Sequence, residues 1–548
     1  MRRWGALVVL AAAQFLMVLD QAVMNVSISQ LVADFDTTVT AIQGVITLYS
    51  LVMAMFMLTG GKLGDLLGRR RAFAIGLVVY GCGSAVTAVA PTTVVLALGW
   101  SVLEGLGAAL VLPALAALVA GNYVDADRRV AYAVIGGVAG AGIAVGPIVG
   151  GWATTELSWR VVFVGEVVVV VAILAGLRLL TDAPGPEPAP RLDGVGAALS
   201  ALGLGMIVYA TLQASTWGWM SPKDSPVEPF GFALTPFVVA GGALLLWAFV
   251  GWQRRRERVR RDPLVHVGLF RVVPLRAGLQ SMLAQNLILM GVFFTIPLYL
   301  QLVLGFDALD TGIRMLPVSI AMFVASMAGS ALATRFAVRT IVRTGLAATA
   351  TAAVVLLWTI QPSLRGWGFG LGMALLGLGM GLIASQVGNV VQSSVDASGR
   401  SEAGGLQYTA QQLGSALGVA LIGAIVISAL AANFANRISE NEAVPIDVGR
   451  EAAVAIEGSS TFLATGQVEA SARQAGLDEA VVEPLVEDYG DAQLAALKVG
   501  LLVSGGIAVG ALLATGGLPA RRPDRDGGGE ASEPDDGAER IDPSVQDL

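Results

Sequence analysis

Three carboxylates stand in oily surroundings: Asp20, Glu104 and Glu166 each lie within a long run of apolar and small residues. A charged side chain at the centre of a bilayer costs about 2.5–3.5 kcal/mol on insertion scales. Without a counter-ion, such a carboxylate is held more cheaply as the neutral acid. An acid that is cheap to protonate can take up a proton on one side of a membrane and release it on the other, in exchange for a cationic cargo. Asp20 is the strongest candidate, because it sits well inside the first run with no cation nearby in the chain. A structural carboxylate bonded to neighbouring Thr, Asn or backbone groups is the competing reading. Asn25, five residues on, can line a polar path or serve packing. Glu166 stands one to two turns into its run, where Arg160 could offset its charge.

The remaining chemistry is sparse. A single cysteine, Cys82, and a single histidine, His266, leave no Cys/His metal site, no catalytic pair and no intrachain disulfide. Cys82 reads as a packing residue of the third run and His266 as an ordinary loop residue. There is no GxxxxGK[ST] loop to hold a nucleotide. An enzyme is therefore not expected, and no cofactor or metal is implied. The second half of the chain offers amides instead of acids, with Gln285, Asn286, Gln407, Gln411 and Gln412 as polar candidates for lining a cavity.

The elements that must position these groups follow from composition. The chain has 548 residues, is 55% hydrophobic and only 14% charged, with a mean hydropathy of +0.71. Soluble chains are nearer a quarter charged, so this one is a polytopic membrane protein. Apolar runs long enough to cross a bilayer number about fourteen. They begin near Trp4, Ala41, Ala72, Thr93, Val130, Val161, Gly194, Ala233, Leu275, Thr311, Thr340, Gly366, Gly404 and Leu497. The basic start and apolar run of residues 1–15 mimic a secretory signal, but the run continues through Asp20 toward Ile28 and reads as a retained first helix.

Positive charge orients the spans. Arg69, Arg70 and Arg71, then Arg128 and Arg129, then "QRRRERVRR" from Gln253, and Arg335, Arg339 and Arg343 fall on one side, whereas the loops after the first and third spans hold no Lys or Arg. Both termini are expected in the cytoplasm and the chain in the inner (plasma) membrane. The basic cluster reads as a topology signal touching anionic lipid, and nucleic acid is not expected as a partner. The net charge of −7 is concentrated in residues 432–496, which suit short helices of an extracellular subdomain, and in the last thirty residues. The Gly-, Pro- and charge-rich tail, residues 519–548, should be disordered.

"GKLGDLLGRRR" from Gly61 has a faint echo in "GSALATRFAVRT" from Gly329, with Ala333 in place of Asp65, as in transporters built from repeated halves. The first of these strings resembles the signature loop of the major facilitator superfamily. "LDQAVMN", 19–25, resembles the first-span motif of its fourteen-span drug:proton antiporters, and "GAGIAVGPIVGG", 140–151, their fifth-span motif. "SWRVVF" from Ser158, "PLYLQLVLGFDALDTGIRMLP" from Pro297 and "AQQLGSALGVALIG" from Ala410 occur in the matching order.

The resemblance implies an all-α major facilitator fold: two six-helix bundles, residues 1–182 and 263–518, with two extra helices and a basic loop at 183–262. It also implies gating roles for two motifs. Gly61, Gly64, Asp65, Gly68, Arg69 and Arg70 would form a latch, with the glycines packing a tight turn and Asp65 accepting bonds from helix amides or from Arg69 and Arg70. Gly142, Gly146 and Gly150 share one helix face that a neighbour can approach closely, and Pro147 bends that helix. The family's fourth span usually carries an Arg and then a Gln just before a Gly; here Ser101 and Glu104 precede Gly105. The missing cation suggests that Glu104 lines the central cavity beside Asp20, the two titrating as a coupled pair. The expected function is proton-coupled, alternating-access export of amphipathic or cationic small molecules by a monomer. Export or uptake of one metabolite, and a membrane-embedded enzyme or sensor, are the alternatives.

Overall fold

The computed structural model describes residues 2–123, 125–182, 191–364, 366–395, 400–459 and 462–520. Most of the tail expected to be disordered, residues 521–548, lies outside them. Among the described residues there is no strand, and 14 helices are long and apolar enough to span a bilayer. We number these α1 (Trp4–Val26), α2 (Val39–Leu67), α3 (Arg69–Ala88), α4 (Thr93–Val119), α5 (Val134–Glu156), α6 (Trp159–Leu179), α7 (Gly194–Trp217), α8 (Thr235–Arg258), α9 (Val273–Val303), α10 (Ala308–Gly329), α11 (Val338–Thr359), α12 (Gly368–Ser393), α13 (Glu402–Glu440) and α14 (Glu479–Gly517).

The first thirteen begin within a few residues of the hydropathy expectation. The fourteenth does not: its helix starts at Glu479, eighteen residues before the expected Leu497. Its first turns are amphipathic, burying Val482, Leu485 and Tyr489 while exposing acids, so the hydropathy signal starts later than the helix. The segment expected to form a subdomain contains the end of α13, the helices Ile446–Ser459 and Thr465–Gln474, and the beginning of α14. Tyr489 and Gln493 tie it together through the backbone of Leu463.

Helices α1–α6 pack on one another, as do α9–α14, with α7 and α8 as a hairpin to one side. The two groups meet along α2 against α13 and along α5 against α10. Lys62 of α2 pairs with Glu402 of α13 at 3.4 Å on the face that carries the chain start. At the opposite face Gln301 Nε2 donates to the Val26 carbonyl at 2.8 Å, and the Leu309 amide donates to Thr155 Oγ1 at 3.2 Å. Between these ends Gln21 donates to Gln412 at 3.3 Å. The hairpin braces one seam, since Val208 of α7 shares a buried cluster with Leu51 of α2 and with Ala416 and Ala420 of α13. Asp193 caps α7 through the Gly196 amide and also accepts from Trp252 and Gln253 of α8.

Small residues set the spacing inside the first group. A Cβ on Gly76 would stand 2.9 Å from the Gly107 carbonyl, and one on Gly99 would stand 2.6 Å from Thr87 Oγ1. Glycine there lets α3 and α4 approach backbone to backbone, a contact that dispersion stabilises when lipid is the solvent.

Candidate functional site

The acids singled out above converge. Asp20 of α1, Glu104 of α4 and Glu166 of α6 each place a carboxylate oxygen within 4.8 Å of the other two. Asp20 and Glu104 are 0% exposed and Glu166 is 2% exposed. All three lie in the core of the first six-helix group. With 1.5 Å of rise per residue, Asp20 stands about 9 Å along α1 from the end of that helix.

Each acid has one satisfied and one unsatisfied oxygen. Trp100 Nε1 donates to Asp20 Oδ1 at 2.7 Å. Thr87 Oγ1 donates to Glu104 Oε1 at 3.2 Å. Tyr80 Oη and Ser84 Oγ donate to Glu166 Oε2 at 3.2 and 3.1 Å. Asp20 Oδ2, Glu104 Oε2 and Glu166 Oε1 are buried without a hydrogen-bond partner, as is the hydroxyl of Tyr49. Tyr49 stacks on Trp100 with ring centroids 4.5 Å apart and 3° between planes.

The local chain explains the convergence. Residues Ala97–Glu104 form a π-helical stretch, a wider turn that is often found at functional sites. It directs Trp100 to Asp20, Glu104 to Thr87, and the Ser101 hydroxyl to the Val45 carbonyl at 2.7 Å. On the facing helix a Cβ at Gly83 would stand 2.6 Å from Glu104 Cγ, so glycine opens the space that Glu104 fills.

Charge decides what the cluster can be. Among the described residues no ion pair reaches any of the three acids. Arg160, expected to offset Glu166, is turned away. It pairs with Asp34 at 3.2 Å and donates to the Ala90 carbonyl at 3.0 Å, because the end of α6 caps the membrane rim there. Two ionised carboxylates with oxygens 4.8 Å apart repel by about 3.5 kcal/mol even at an effective dielectric of ~20. Three ionised acids would triple that penalty, before any cost of removing them from water. The arrangement suits acids that share protons.

The other candidates are placed elsewhere. Asn25 donates to the Gln21 carbonyl of its own helix at 2.7 Å, and its oxygen is buried without a partner. Gln285 is turned into the second group, donating to the Met380 carbonyl at 3.0 Å. Asn286 bonds Met282 one turn back, Gln407 accepts from Gln392 at 3.3 Å, and Gln411 is half-buried. Glu104 faces α3 inside the first group, so it is enclosed by that bundle and does not line the seam between the groups. Cys82, expected to pack, is exposed on the outside of α3. His266 is less isolated than a loop residue should be, with Nδ1 2.9 Å from Glu402, the partner of Lys62.

In the signature loop, Asp65 pairs with Arg69 at 3.4 Å. The helix amide that it could have accepted, that of Arg70, is taken by Asp182 at 3.2 Å. Gly68 has φ +87°, a conformation that favours glycine. Gly61 and Gly64 have only ordinary contacts, and the tight approach belongs to Gly60 against the Ala109 carbonyl. Gly142, Gly146 and Gly150 do share a face, which lies on Val18, Ala22 and Val23 of α1. Pro147 presents its carbonyl to Gly312 of α10, and Gly151 packs on Ala308 and Leu309. Thus α5 is wedged between α1, which carries Asp20, and the second group.

Trp100, Thr87, Tyr80, Ser84 and Tyr49 escape a reading of the sequence, since an aromatic or hydroxyl residue within a span reads as packing. The one available signal is the position of Trp100 beside Ser101, where the resembling family places its Arg.

Comparison with known proteins agrees with the fold. The pattern of the Major Facilitator Superfamily matches residues 10–419. The chain belongs to that superfamily. It is a membrane carrier and not an enzyme. The puromycin resistance protein of Streptomyces alboniger is 34% identical over 458 residues, 79% of this chain and 84% of that one. The tetracenomycin C resistance and export protein of Streptomyces glaucescens is 28% identical over 463 residues, 84% and 82% of the two chains. The multidrug efflux pump LfrA of Mycolicibacterium smegmatis is 30% identical over 426 residues, 77% and 81%. Among solved structures, a bacterial homologue of the human lysosomal transporter Spinster, inward-facing and unoccupied, superposes with a TM-score of 0.58. It is 14% identical, covering 94% of this chain and 98% of that one. At that identity the likeness concerns the fold alone.

Proposed function

We propose that this carrier exports amphipathic or cationic small molecules, antibiotics among them, in exchange for protons, and that Asp20, Glu104 and Glu166 form its proton-coupling site. The observation that carries the reading is the enclosure of three acids within 4.8 Å of one another with no cation bonded to them among the described residues. Such a cluster is unstable fully ionised and has to be charged and discharged with protons. Export is supported by relatives of similar length described as resistance, export and efflux proteins.

In this reading the chain is a monomer of the plasma membrane with both termini in the cytoplasm. Residues 1–182 and 263–518 act as the two rocking halves, with 183–262 as the brace. The amides that bridge the halves, Gln21 and Gln412, stand where cargo would pass. Proton uptake at Asp20 reaches the seam through α1, whose opposite face carries α5. The Gly142, Gly146 and Gly150 face lets α1 and α5 slide without bulky side chains interlocking.

Ethidium serves as a test cation. In proteoliposomes with an imposed pH gradient, wild type should move ethidium against its gradient and Asp20→Asn should not, while both insert equally. Ethidium movement by Asp20→Asn at the wild-type rate would remove Asp20 from the mechanism.

A further inference from the structure

We infer that the acid cluster holds at least two protons at once in the closed arrangement seen here, so that the carrier stores a multiple proton load in one place. The inference rests on the coupling site proposed above, and it concerns the number of protons.

Two tallies bear on it, and the first of them carries it. The first is charge. The groups that face the cluster are Asp20 from α1, Tyr49 from α2, Tyr80 from α3, Glu104 from α4 and Glu166 from α6, and the tyrosines are neutral near pH 7. Arg160, the cation nearest in sequence to Glu166, is bound to Asp34. Among the described residues nothing in the shell balances even one negative charge, and a second ionised acid would add direct repulsion at 4.8 Å or less.

The second is hydrogen bonding. Three buried carboxylate oxygens have no donor, and one buried hydroxyl donor, that of Tyr49, has no acceptor. If Tyr49 served one of these oxygens, two would remain. A proton on an acid turns an orphaned acceptor into a donor directed at a neighbour, so hydrogen bonding calls for at least one proton; charge calls for at least two, because with a single proton two ionised acids would still stand 4.8 Å or less apart. Buried polar atoms are rarely left unpaired, so the orphaned oxygens also point to protonated acids.

The test is infrared spectroscopy of the purified protein in sodium-free lipid nanodiscs at pH 7, reading the C=O stretch of protonated carboxyl groups. Subtracting the spectrum of Asp20→Asn/Glu104→Gln/Glu166→Gln from that of wild type should leave intensity equal to two or three carboxylic acids per chain. Intensity equal to one or none would overturn the inference. Loss of the band on adding sodium at constant pH would overturn it as well, since a metal ion would then balance the charge. If the triple variant does not fold, the three single variants are subtracted in turn, and at least two must remove carboxyl intensity. The proton count and the antiport reading fail separately: a single proton with intact ethidium exchange sinks this inference only, and two protons without proton-coupled ethidium movement sink only the antiport reading.

Discussion

Trp100 donates its indole N–H to Asp20 at 2.7 Å while its ring lies flat on Tyr49. One side chain of α4 thereby fixes the orientation of the acid on α1 and supports the hydroxyl that stands next to the cluster. Where the resembling antiporters carry a cation on this helix, this chain has a neutral donor that leaves the negative charge of Asp20 uncompensated.

Replacing Trp100 by Phe should keep the stacking and remove the donor. Both oxygens of a buried carboxylate would then be unpaired, at a cost of about 1–3 kcal/mol. Proton-driven ethidium transport should fall by roughly 5- to 150-fold, 1.4 kcal/mol corresponding to a factor of ten. Transport at the wild-type rate would make the bond incidental.

The three acids should behave as one unit. Single changes Asp20→Asn and Glu104→Gln should each reduce proton-driven transport about as far as the triple change, because groups that act together are not additive in their effects on rate. Separate, multiplying losses in the ethidium assay would show that they work independently.

Glycine 83 makes room for Glu104. Gly83→Ala would place a Cβ 2.6 Å from Glu104 Cγ and 2.7 Å from the Gly99 carbonyl, and overpacking of this kind costs about 1–3 kcal/mol. The melting temperature in detergent should drop and transport should weaken. Gly165→Ala, beside Glu166 but with nothing within 4 Å of its added Cβ, is the matched control and should change neither.

On the face that carries the chain start, Glu402 holds Lys62 and His266 together, joining both halves and the loop between them. Glu402→Gln should cost about 1–2 kcal/mol, between the values for exposed and buried pairs. Adding Lys62→Gln to that variant should cost little more, and full additivity in thermal unfolding would mean that the pair contributes nothing.

Much of this architecture was legible in the residue pattern, because hydrocarbon thickness imposes one length on every span and arginine marks one side. Asp20, Glu104 and Glu166 were legible as anomalies for the same reason, as acids have no cheap place in such spans. Their convergence was not. It depends on the rotation of each helix, set by the close packing of Gly76 and Gly83 on α4 and by the π-helical stretch that ends at Glu104. Arg160 illustrates the limit: six residues before Glu166 in the same helix it looks available to that acid, yet it lies toward the rim, where Asp34 pairs with it from the end of the short helix Ile28–Asp34. Asp182 and Glu402 were missed likewise, since partners contributed by loops and by the other half carry no spacing signal. The early start of α14 was hidden because amphipathic turns outside the membrane dilute hydropathy without interrupting the helix.

The central claim, that protons enter this buried cluster as cargo leaves, is tested most directly by loading proteoliposomes with ethidium and following external pH as it flows out. Wild type should make the outside alkaline as protons enter the liposomes in step with ethidium release, and Asp20→Asn should leave external pH unchanged. Ethidium release by wild type with no accompanying pH change would contradict the account.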